Sequence, residues 1–130
     1  MKILAINCGS STLKFQLIQV DHKDMALGQE QRLAFGTIER IGGHGTINFT
    51  AENKEGLREA ATVADHGEAV RRMLGWLGSL GLLGPGGLEA VGHRVVHGGY
   101  RFTEPALISS EVIDNIEATS HLAPLHNAPS

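Results

Sequence analysis

The stretch from Lys2 to Leu17 constrains this chain more than any other, because it demands a hairpin and a tight bend to close it. Ile3 to Ile6 is a short apolar run, Asn7 ends it, Gly9-Ser10-Ser11 interrupts it, and Leu13, Phe15 and Leu17 then alternate with polar neighbours. Alternation at period two is the pattern of a strand with one buried face. After Leu17 the apolar phase shifts to Ile18 and Val20, which requires either a bulge or an edge strand covered on both faces.

Further strands are expected from Arg32 to Arg40 and from Thr46 to Thr50, separated by the turn-forming Gly42-Gly43-His44-Gly45. Asp65 followed by Glu68 reads as a helix-capping pair, and Val70, Met73, Leu74, Leu77 and Leu80 recur at the spacing of one helical face. The pattern predicts a helix from Asp65 to Leu80, stopped by Gly81 and by Gly84-Pro85-Gly86-Gly87, then a strand from Leu88 to His97. A second helix opens at Ser109 or Ser110, with Val112, Ile113 and Ile116 on one side. Strands in a run, then helix, strand and helix, indicate an α/β fold with a mixed β-sheet and helices packed on it.

The chain has 130 residues, the size of one domain. Its 11 Lys+Arg against 14 Asp+Glu give a net charge of −3 with no basic patch, which argues against a nucleic-acid partner. Cys8 is the single cysteine, so no disulfide framework is possible, and a cytoplasmic setting is expected. No stretch reads as a signal peptide or a membrane span.

Three segments could carry chemistry. The bend Asn7 to Lys14 offers hydroxyls from Ser10, Ser11 and Thr12 and a cation from Lys14, which suit a phosphate. A plain Ser-rich turn accounts for the same residues, since the P-loop spacing is absent. Cys8 is better explained as a small buried residue than as a nucleophile. In Gly92 to Gly99, Arg94 interrupts an apolar strand, with Val96 on its face and His93, Val95 and His97 on the other. Its guanidinium fork suits a carboxylate or phosphoryl group, and pairing with a buried acid is the alternative. His93 and His97 would lie about 13 Å apart on a strand, too far to share one ion. Finally, Leu122 to Pro129 presents His126 beside Asn127 in a Pro-stiffened loop, where a solvated polar histidine is the simpler reading.

Together these segments resemble the acetate kinases, the acetate/propionate/butyrate kinase family. The hallmarks are N-x-G-S-S-S-x-K, here Asn7 to Lys14; G-H-R-V-V-H-G-G, here Gly92 to Gly99 without a change; and A-P-L-H-N-P, here Ala123 to Asn127 and onward. Their order and spacing agree along the chain. Thr12 stands in place of the usual serine, and Ala128 where a proline is common.

The resemblance implies a ribonuclease H-like domain of the actin/Hsp70/sugar-kinase superfamily. It also implies Mg²⁺-dependent transfer of the ATP γ-phosphoryl group to acetate. By matching position, Asn7 is expected at the Mg²⁺ site, Lys14 near ATP, and Ser10 and Thr12 in the phosphate-facing turn. Arg94 would hold the carboxylate and then the transferring group, Val96 and Leu125 would line the methyl pocket, and His126 would contact the reacting phosphate. Family members are much longer, so residues 1–130 are expected to form an N-terminal domain whose partner domain, and the homodimer interface it carries, are absent. The fragment alone is then inactive. A non-catalytic module binding an anion or a partner through the same turn is the competing reading, and propionate or butyrate the competing substrates.

Overall fold

The computed structural model describes residues 1–20, 30–84, 87–95 and 104–118. The strands are β1 (Lys2–Cys8), β2 (Leu13–Gln19), β3 (Gln31–Glu39), β4 (Gly43–Ala51) and β5 (Leu57–Val63). Helix α1 (His66–Ser79), strand β6 (Ala90–Arg94) and helix α2 (Ser110–Ala118) follow. The six strands form one sheet in the order β5-β4-β3-β2-β1-β6. Neighbours from β1 to β5 run antiparallel, whereas β6 lies parallel to β1.

Alternation sorts the sheet into two faces. Leu4, Cys8, Leu13, Phe15, Leu17, Ile38, Ile47 and Phe49 are buried on one, where α1 covers them with Ala69, Met73 and Leu77. Phe15 and Phe49 meet edge to face at 5.3 Å, and Trp76 of α1 closes the cluster at 5.0 Å from Phe49. Trp76 and Ala69, which the helical spacing had not singled out, thus complete the apolar stripe, while Leu74 is 36% exposed at its margin.

Helix α1 also joins the two edges of the sheet, from β5 to β6. Its 14 residues span about 21 Å at 1.5 Å per residue, close to the roughly 24 Å across five strand spacings. Both ends are built as the sequence suggested. Asp65 caps the start by accepting from the Glu68 amide at 2.8 Å, and the Glu68 carboxylate accepts from the Ala64 amide at 2.7 Å. At the other end Gly81, at φ +72°, lets the Leu82 amide reach the Leu77 carbonyl at 3.1 Å, a Schellman closure.

The sheet departs from the sequence reading in four places. The irregularity after Leu17 is a bulge, but the extra residue is Leu33 on the facing β3, and β2 is an interior strand rather than an edge. The turn between β3 and β4 falls at Arg40 to Gly42, so Gly43 to Gly45 already belong to β4. Gly45 is there because a Cβ would meet the Glu39 carbonyl oxygen at 2.5 Å. Strand β5 was not foreseen, being an edge strand whose residues are mostly exposed. Strand β6 starts at Ala90 rather than the expected Leu88 and ends at Arg94, Val95 lying outside it and the expected Val96 and His97 outside the described residues, and none of the α2 residues is fully buried.

Candidate functional site

The sheet face away from α1 carries the candidate site, and the pairing register builds it. Asn7 lies opposite Lys14 in the β1–β2 hairpin and opposite Arg94 in the β1–β6 pair. Lys14 in turn faces Thr37, and Thr37 faces Asn48. Residues directly opposite share a face, so Arg94, Asn7, Lys14, Thr37 and Asn48 form one polar row across five adjacent strands. Two residues along, Gly92, Ala5, Gln16 and Phe35 form a second row. Between them lies an open concavity of about 500 Å³, lined by Asn7, Lys14, Gln16, Phe35, Thr37 and Arg94 among others.

Lys14 and Arg94 are both exposed, and among the described residues neither has a carboxylate partner. The alternative that Arg94 serves a buried acid is therefore not what the structure presents. Asn7 separates the cations, leaving their Cα atoms about two strand spacings, roughly 10 Å, apart. At that distance in water their repulsion is only about 0.4 kcal/mol. A phosphoryl or carboxylate group at about 4 Å from either gains roughly 1 kcal/mol in water and about 4 kcal/mol at an effective dielectric of 20. Holding the two cations side by side costs little, and together they reward an arriving anion.

The bend sits at the end of this row. It is a four-residue connection, Gly9 to Thr12, in which the Gly9 amide donates to the Thr12 carbonyl at 2.9 Å. Close approach favours glycine at position 9: a Cβ would lie 2.6 Å from Thr12 Oγ1, so the Thr12 hydroxyl would have to move to admit one. Ser10 and Thr12 close the hairpin that carries Asn7 and Lys14 but do not line the concavity. The Ser11 carbonyl accepts from the Ile41 amide at 2.8 Å, and the Gly9 carbonyl accepts from His66 Nε2 at 2.8 Å. His66 had carried no signal in the sequence, because its partner lies 57 residues away.

Cys8 is buried, and burial pushes its thiol up, which supports a packing role over a nucleophilic one. The His93 ring donates from Nδ1 to the Arg94 carbonyl at 2.9 Å. Val96, His97, Leu125 and His126 lie outside the described residues.

A divalent cation at Asn7 is a poor fit to these residues alone. The concavity lining contains no carboxylate, Asn7 stands between two cations, and no group of three acidic, His or Cys side chains gathers among the described residues. Mg²⁺ is held by one or two carboxylates together with phosphates and water. Among the described residues, no helix is long and apolar enough to cross a membrane.

Solved structures of known proteins share this fold. The solved structure of a propionate kinase from Francisella tularensis superimposes with a TM-score of 0.81 at 32% identity, over 98% of this chain and 31% of that one. An acetate kinase from Porphyromonas gingivalis gives a TM-score of 0.82 at 33% identity, again over 98% and 31%. The fold is accordingly the actin/Hsp70/sugar-kinase type of mixed sheet and helices. In sequence, an acetate kinase from Oceanobacillus iheyensis is 44% identical over 96% of this chain and 30% of its own length. One from Chloroherpeton thalassium is 41% identical over 98% and 33%. The chain thus spans about a third of the length of the curated relatives it matches. The model of the acetokinase family matches residues 2–130, and the chain belongs to that family.

Proposed function

We propose that this chain supplies one wall of a phosphoryl-transfer site that moves the γ-phosphoryl group of ATP to acetate, giving acetyl phosphate and ADP, reversibly. The observation that carries the reading is the alignment of Arg94, Asn7 and Lys14 on adjacent strands in one concavity. Acetate is ionised at neutral pH, its carboxyl pKa being near about 4, so its oxygen attacks the γ-phosphorus without a base. The bond from that phosphorus to the bridging oxygen breaks, and ADP leaves with the electron pair. The remaining task is to hold anions together against their repulsion, which is the main demand of phosphoryl transfer.

In this reading Arg94 grips the carboxylate and then the transferring group. Lys14 faces the nucleotide phosphates, the Ser10–Thr12 amides and hydroxyls bracket them, and Val96, Leu125 and His126 complete the acyl pocket and the phosphate contacts. Mg²⁺ is the companion of the nucleotide phosphates rather than a resident of this chain, with Asn7 offering at most one neutral oxygen. A cytoplasmic homodimer, assembled through sequence outside this chain, belongs to the same proposal.

The test is acyl phosphate formation, trapped as the hydroxamate, by a protein of the relatives' length that carries this chain. ATP is supplied with acetate, propionate or butyrate. Acetate is expected to turn over fastest and the 130-residue chain alone not at all. No product with any of the three acids, or turnover by the chain alone, would overturn the reading. Faster turnover of propionate would reassign the acid and keep the chemistry.

A further inference from the structure

The bend between β1 and β2 owes its shape to a side chain from elsewhere in the fold. Of its four carbonyls, that of Thr12 accepts from Gly9, that of Ser11 from the Ile41 amide, and that of Gly9 from His66 Nε2. A peptide unit is planar and trans, so its carbonyl and the following N–H point in opposite directions. Fixing the Gly9 carbonyl therefore fixes the Ser10 N–H, and fixing the Ser11 carbonyl fixes the Thr12 N–H. The Ile41 bond comes from backbone. The His66 bond comes from a side chain.

His66 is well placed to act as a post. It is half-buried at the first turn of α1, beside the Asp65 cap, on a helix locked at its far end by Gly81 and along its length by Met73 and Leu77. Helix α1 covers the face opposite Asn7, Lys14 and Arg94. A carbonyl drawn towards His66 turns the Ser10 N–H away from the helix. Because a carbonyl can only accept, Nε2 must carry the proton in this contact.

We propose that His66 is a positioning residue: its Nε2–H holds the Gly9 carbonyl so that the Ser10 amide is presented to a phosphate group. The assignment rests on the phosphoryl-transfer reading for its substrate, but the orientation of the amide can be tested without turnover. The probe is inorganic phosphate, titrated into the 130-residue chain while the Ser10 and Thr12 amide resonances are followed.

Three variants separate donation from packing. His66→Gln keeps an N–H donor, His66→Phe keeps a ring without one, and His66→Ala removes both. In the unmodified chain phosphate should shift the Ser10 amide, with affinity weakened about tenfold in the Ala and Phe variants and largely recovered in the Gln variant. A denaturation midpoint for each variant identifies any that fail to fold. In a protein of the relatives' length, the Ala and Phe variants should raise KM for ATP about tenfold and the Gln variant should leave it near that of the parent, while KM for acetate stays within about twofold in all three. Equal phosphate affinity in all folded variants overturns the proposal, as does a Phe variant that outperforms Gln. An unmodified long protein without kinase activity would count against the functional reading alone, since the phosphate titration still reports on His66.

Discussion

At the scale of single residues, Arg94, Lys14 and Gly9 could be picked out from the sequence, each because it is costly or unusual where it stands. A guanidinium in an apolar strand and a lysine after a Gly/Ser bend both ask for an anion, and both line the concavity. What each glycine does was less legible. Gly36 looks unremarkable in sequence, yet a Cβ there would lie 2.6 Å from Phe49 Cδ1 and 2.7 Å from the Asn48 carbonyl oxygen. The backbone oxygen cannot yield as a side chain could, and the Phe15–Phe49–Trp76 cluster fills the remaining space. Gly36→Ala should therefore lower stability by about 1–3 kcal/mol, the usual cost of overpacking a core. A urea midpoint unchanged from the parent would contradict that packing.

At the scale of elements, legibility followed local signals. Helix α1 announced itself through Asp65, Glu68, its apolar spacing and Gly81, and it forms within a residue of the expected bounds. Strand β5 did not, because Arg58, Glu59, Ala60 and Ala61 carry no alternation and suit a helix as well as a strand. Its conformation comes from pairing with β4, from Gly43 opposite Val63 to Phe49 opposite Leu57. The cap of α1 gives a pH test. The Glu68 carboxyl lies below its ordinary value of 4.5, chiefly because it accepts from the Ala64 amide, with Arg72 adding to the effect. A carboxylate lowered in the folded state adds stability that is fully present above its unfolded value and lost as pH falls through the folded one. The unfolding midpoint should thus drop as pH is lowered from about 5 to about 3, and Glu68→Gln should flatten part of that slope. An identical slope in the variant would show that the cap contact does not stabilise the fold.

At the scale of the molecule, the decisive fact is that β6 pairs with β1, which sets Arg94 beside Asn7 and two strands from Lys14. No local pattern states this, since the chain travels through β2, β3, β4, β5 and α1 between the two strands. The run of antiparallel strands, the helix and the mixed class were readable. The strand order, and with it the convergence of separated motifs, needed the three-dimensional structure or the family resemblance. The His66 contact belongs to the same category, joining the start of α1 to the bend of the first hairpin.

The account stands on the Arg94–Asn7–Lys14 row acting as a single anion-gripping surface, and turnover of Arg94→Ala in a protein of the relatives' length tests it most directly. Acetyl phosphate formation should fall by roughly 100-fold or more, the scale of losing one charge-stabilising donor at a reacting centre. Turnover close to that of the unmodified protein would contradict it.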